Sequence, residues 1–233
     1  MNLSNVSTGR VTYEERQRNL NFLKILYTLM AITLAVTVIW TSFALGFWDE
    51  FGRGLGRWWE FAIVSGVLCL ILLAVAFLLP VAQRIPLSIV VYVLFTLCFM
   101  HFWSWVACVD SSRLVYYALW LLLAIAIAYA IYAWSTTTYM NTLISILITG
   151  VAALLVFVAF LIFSNVNFLG MLLVLLAVLV YGFYINYDIR KMVRGGIQDY
   201  SREDPWSGAV RIWLESVFVF CRFIELIGRS CCK

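Results

Sequence analysis

The sequence predicts an all-α membrane protein, a bundle of seven transmembrane helices, and three observations lead there. Of 233 residues, 64% are hydrophobic and only 12% charged, against roughly 25% charged in an ordinary soluble domain. The apolar residues fall into long runs, and aromatic residues gather at their ends. A soluble fold of this size could not hide so much apolar surface, so lipid must be the solvent for much of it.

A helix needs about 20 apolar residues to cross a hydrocarbon core about 30 Å thick. Seven stretches qualify: 22–48, 58–80, 85–108, 114–134, 139–163, 168–187 and 207–228. They must be helical, because every backbone polar group needs a partner inside lipid. The short alternating segments of a barrel are absent. The first stretch is about twice the length of a signal's apolar core, and no small-residue cleavage site precedes Asp49–Glu50, so it should stay as an anchor. Short connections favour antiparallel neighbours, and the only long polar segment between spans is 190–205. The expected organisation is a polar cytosolic tail (1–21), a single seven-helix domain (22–228) and a short polar C-terminal tail (229–233).

Lys and Arg near the span ends set the orientation. With the N-terminus cytosolic, ten fall inside (Arg10, Arg16, Arg18, Lys24, Arg84, Arg190, Lys191, Arg194, Arg202, Arg211) and five outside (Arg53, Arg57, Arg113, Arg229, Lys233). The net charge of +4 is therefore topology; no basic cluster with interleaved aromatics stands apart to bind nucleic acid. Trp48, Trp58, Trp59, Trp134, Tyr139, Tyr187 and Trp206 lie at span ends, where amphipathic rings settle among headgroups.

Chemistry-bearing residues are few. Cys69, Cys98, Cys108 and Cys221 lie in spans and read as small packing residues. Cys231–Cys232 fall on the non-cytosolic side, away from palmitoylation. The single histidine, His101, sits in the third span as a packed or hydrogen-bonded imidazole. There is no HExxH pair, no nucleophile with a positioned base and no phosphate-cradling glycine loop, so the chain reads as a non-enzyme without a cofactor.

The informative residues are ionisable groups in or beside the last two spans. Each costs about 2.5–3.5 kcal/mol at the bilayer centre, so each needs a partner or a wet cavity. Asp188 closes the sixth span, and the seventh carries Arg211, Glu215, Arg222, Glu225 and Arg229. At about 100° per residue those five fall within an arc of roughly 80°. Such a stripe cannot face lipid, so the last helix should be central, its stripe turned toward Asp188. Glu225 lies three residues after Arg222 and four before Arg229, the spacing of a buried ion-pair ladder. Asp188 and Glu215 differ, because two carboxylates converging in low dielectric share a proton and titrate as a unit. The pair could sense pH or hold a cation, with Arg84 on the same side as a counter-charge.

These residues also carry a likeness. Tyr184-Ile-Asn-Tyr-Asp188, then Ala209-Val-Arg-Ile-Trp-Leu-Glu215-Ser-Val-Phe-Val-Phe220 closing at Gly228, resembles the transmembrane Bax inhibitor motif family, most closely its lifeguard-type members. Further likeness lies in Phe22-Leu-Lys-Ile-Leu-Tyr-Thr-Leu, Arg84-Ile-Pro-Leu-Ser and Leu94-Phe-Thr-Leu-Cys-Phe-Met. The resemblance implies a central last helix and a pH-sensitive Ca2+ leak from an internal store, linked to calcium homeostasis and cell-death suppression. An acidic pair would be the sensor and an arginine its latch. Carried over, the sensor is Asp188 and Glu215, weak Ca2+ ligands, and Arg84 is the latch. Three departures stand out: Glu215 replaces an aspartate, 138–141 holds no carboxylate, and Arg222 with Glu225 adds charge able to neutralise Glu215. They leave a second expectation open, a non-conducting helical protein that acts through protein partners in the membrane, as a cell-death regulator or an accessory subunit. Span lengths fit endoplasmic reticulum, Golgi or plasma membrane; the inner mitochondrial membrane also fits, although Glu14 and Glu15 argue against a transit peptide.

Overall fold

In a computed structural model of the chain, residues 13–46, 59–78, 85–109, 113–136, 142–164, 168–193, 205–210 and 212–213 are described. They form six long helices, α1 (Tyr13–Gly46), α2 (Trp59–Leu78), α3 (Leu87–Val109), α4 (Leu114–Ser135), α5 (Thr142–Phe163) and α6 (Phe168–Val193). All six are long and apolar enough to cross a membrane. Residues 205–210 and 212–213 form a further helical stretch at the start of the expected seventh span.

Two helices outrun their apolar cores. α1 begins at Tyr13, inside the segment expected to be tail. Glu, Arg and Gln, which make up much of this extension, are good helix formers, so the helix need not stop at the lipid boundary. Asn19 and Leu20 in that extension are already buried. α6 continues past Tyr187 to Val193, which places Asp188 within a helix rather than at its end.

α1 packs along both α3 and α4; α2 lies on α3, while α5 and α6 lie on α4 and on each other. α1 therefore joins the two halves of the bundle. Its inner face carries Leu26, Thr33, Thr37 and Thr41, all 0% exposed, and its outer face carries Ile32, Val36 and Ile39, the last 69% exposed. The other outward faces are equally apolar: Val64 and Ile71 on α2, Leu147 and Leu155 on α5, Leu173 and Val180 on α6. Trp59 and Trp134 are exposed at helix ends as expected of headgroup anchors, and Tyr187 is exposed where the apolar run of α6 ends, six residues before the helix does. Trp206 is not one of them; its ring packs edge-on against Tyr92 at 5.3 Å.

The start of the last span is enclosed. Ser207, Ala209, Val210, Ile212 and Trp213 are all buried. A Cβ on Gly208 would lie 3.1 Å from Phe22 and 3.5 Å from Leu26 of α1, and Trp213 stacks 4.7 Å from Phe99 of α3. This stretch thus occupies the groove between α1 and α3. Trp206 meets Tyr92 and Trp213 meets Phe99, so it runs parallel to α3.

Apolar area gives helices in lipid little reason to associate, and close packing at small residues supplies much of the drive. Gly182 of α6 is such a point, where an added Cβ would lie 3.0 Å from Thr149 of α5 and 3.5 Å from Ile125 of α4. Gly150 has open space at the same position. Gly182→Val should therefore destabilise the protein by about 1–3 kcal/mol through overpacking, while Gly150→Val leaves it unchanged, read as the thermal midpoint in detergent.

Candidate functional site

Asp188 has its backbone in α6, and its side chain is outside the description. Arg84, Arg211, Glu215, Arg222, Glu225 and Arg229 also lie outside the described residues. The described helix of the last span reaches Trp213, two residues before Glu215. What can be built from the residues upward is the setting of these positions.

Two residues before Asp188, Asn186 is 3% exposed. Positions 182, 185, 186 and 189 form one buried face of α6, the spacing of a helix stripe turned inward. The Asn186 carboxamide accepts a bond from the Tyr27 hydroxyl of α1 at 2.9 Å and donates from its nitrogen to Ser145 Oγ of α5. Ser145 and Thr149 of α5 in turn bond the hydroxyl of Tyr129 from α4, the Ser145 contact being 3.0 Å. Thr149 returns to the Ser145 carbonyl at 2.9 Å. The two tyrosine rings stack at 5.3 Å. Four helices are thus tied at one node of neutral polar groups. In low dielectric a satisfied network of this kind rigidifies its members, so the turn of α6 that carries Asp188 is held against α1 and α5.

A second group lies on the other side of α1. The Tyr92 hydroxyl of α3 donates to the Leu29 carbonyl at 2.8 Å and contacts Thr33 Oγ at 2.9 Å. Thr33 also lies 3.4 Å from Thr96. At the edge of this end, Lys24 sits over the Trp134 ring at 5.6 Å, and the indole donates to Thr28 at 3.0 Å. Lys24, Tyr27, Leu29 and Thr33 thus bring α3, α4 and α6 to one stretch of α1, and α5 joins through Asn186 and Tyr129.

Among the described residues no group of three or more His, Cys, Asp or Glu is placed to hold a metal ion. Cys69 is buried and its thiol reaches the Phe95 carbonyl of α3 at 3.9 Å, a packing role as expected. His101 is partly buried on α3. Sequence reasoning missed the node because it weighed charges alone. Asn186 was visible as an amide inside an apolar run, and such a group in lipid needs a partner on another helix.

The family described as Inhibitor of apoptosis-promoting Bax1 matches residues 19–231, nearly the whole chain. The chain belongs to that family. The match covers all six described spans, the enclosed start of the last one, and the positions of Asp188 and Glu215. It agrees with the resemblance read from the sequence and makes this Bax inhibitor family member a multi-pass integral membrane protein. No curated protein and no solved structure matches the chain.

The bonds of the node set an expected order of losses. Tyr27→Phe removes one interhelical hydrogen bond, worth about 0.6 kcal/mol on average in membrane proteins. Asn186→Leu removes two bonds of the node, to Tyr27 and to Ser145, and should cost more, about 1–3 kcal/mol. Thermal midpoints in detergent check the order, and equal losses would contradict the network.

Proposed function

We propose that this Bax inhibitor family member is a pH-sensitive Ca2+ leak channel or slow exchanger of an internal membrane, contributing to calcium homeostasis and the suppression of cell death. Asp188 and Glu215 act as the shared-proton sensor and Arg84 as the latch. The observation that supports the reading is the node at Asn186, which holds the turn of α6 that bears Asp188 against α1 and α5, in a family member whose last span begins with buried residues. Calcium takes six to eight oxygen ligands, so two carboxylates make a weak, partly hydrated site completed by carbonyls or water. Protonation removes the negative charge that Arg84 holds, so the leak opens as cytosolic pH falls.

The second reading, a non-conducting protein acting through partners, draws support from Arg222 and Glu225 in the last span and from the absence of a carboxylate at 138–141. It predicts stoichiometric subunits that co-purify in mild detergent.

Purified protein in liposomes should pass Ca2+ faster as pH drops. Asp188→Asn and Glu215→Gln should each flatten that pH response. A flux identical in all three proteins removes the two acids from the mechanism, and liposomes that pass no Ca2+ favour the partner reading.

A further inference from the structure

Three faces of α3 are taken within the chain. Tyr92, Thr96 and Ser104 meet α1. A Cβ on Gly66 of α2 would lie 3.0 Å from the Phe102 ring, and Phe99 meets Trp213 of the last span. The remaining face looks outward, with Leu87, Val90, Leu94 and Leu97 all exposed. His101 follows Leu97 by four residues and Leu94 by seven, which puts it on the same stripe.

An imidazole on that face is out of place. Half-buried His101 has no hydrogen bond among the described residues. It lies eight residues inside the end of α3 at Val109, about 12 Å at 1.5 Å per residue, too deep for a short side chain to reach the headgroups. Within one chain, a polar group in lipid finds its partner by turning inward to another helix. His101 is turned outward, so its partner belongs to another chain.

The stripe itself says which chain. Leu87, Leu94, His101 and Cys108 recur every seventh residue, and Val90 and Leu97 follow the first two by three, the a and d positions of a heptad. Only the next d position departs, Ser104 turning inward to Thr41. Three heptads run about 32 Å, which matches a hydrocarbon core of about 30 Å. Such seams join parallel helices, and a single polar residue at an a position fixes their register and number. Two copies inserted in one orientation are parallel and at equal depth, so a twofold axis along the membrane normal sets each seam residue against its own counterpart. An uncharged imidazole carries one N–H donor and one acceptor nitrogen, so one His101 can donate to the other.

We propose that the outer face of α3 is the contact between two copies of this chain, a parallel pair of α3 helices packed through Leu87, Val90, Leu94 and Leu97 and registered by a hydrogen bond between their two His101 rings. The pairing leaves α1, the Asn186 node and the start of the last span in place. It holds whether or not the chain passes Ca2+.

Two measurements on the full chain test the pairing. With the six cysteines replaced by alanine, Leu94→Cys should form a disulfide-linked dimer under copper phenanthroline in liposomes, whereas Leu147→Cys, on the outer face of α5, should not. Single-molecule bleaching of a fluorescent fusion that keeps its cysteines should show two steps. His101→Leu should lower the two-step fraction several-fold, and His101→Gln, which keeps a donor and an acceptor, should restore it. Bleaching decides the matter alone if the cysteine replacements unfold the chain. Single steps at every protein-to-lipid ratio overturn the pairing. Dimers that crosslink through Leu147→Cys and not Leu94→Cys, or that ignore His101→Leu, overturn this face as the contact. Leu94→Cys crosslinked in native membranes to a protein of another mass overturns the second copy as its occupant.

Discussion

Inside a bilayer, apolar side chains gain almost nothing by leaving lipid for one another, so polar groups that cannot be left unpaired decide which helices meet. In this protein those groups converge on α1. Its Tyr27 reaches α6, its Leu29 carbonyl and Thr33 reach α3, and Ser42 meets Tyr116 of α4 at 3.0 Å. Among the described residues, removing α1 would leave the α2–α3 pair and the α4–α5–α6 group with little to join them. The remaining packing fills space around that arrangement, with Gly182 and Gly208 allowing the closest approaches.

The same arrangement gives the interior two kinds of polar surface. On one side of α1 the node at Asn186 is densely bonded, and dense bonding makes it rigid. On the other side of α1, Tyr92 meets the Leu29 carbonyl and Thr33, Thr96 lies near Thr33, and Ser104 meets Thr41, so hydroxyls tie α1 to α3. Family membership and this geometry therefore bear on one region of the molecule, the stretch of α1 from Lys24 to Thr33 and the helices it touches.

Burial in this chain is inverted relative to a soluble protein without being polar inside throughout. Large aliphatic and aromatic side chains such as Leu26, Phe95, Leu121 and Tyr129 fill the core, and equally apolar ones such as Leu155 and Ile162 cover the outside. Hydrophobicity alone cannot tell the two faces apart. The neutral polar residues can, because each must turn inward to find a partner.

Length and composition alone determined the fold class and six of the helices, since about 20 apolar residues in lipid admit only one backbone solution. Span edges at 114, 163 and 168 came directly from where the apolar runs begin and end. The extensions of α1 to Tyr13 and α6 to Val193 were not legible that way, because a helix leaving lipid continues as long as its residues favour it. Order and spacing of short motifs pointed to the family before any coordinates. Only tertiary structure decided that α1 is the junction, that Asn186 ties four helices, and that Thr33 and Thr41 meet Tyr92, Thr96 and Ser104 of α3. The reason is physical: periodicity tells which residues share a face, but which face meets which helix depends on hydrogen bonds between residues as far apart as Tyr27 and Asn186, and no local pattern records them.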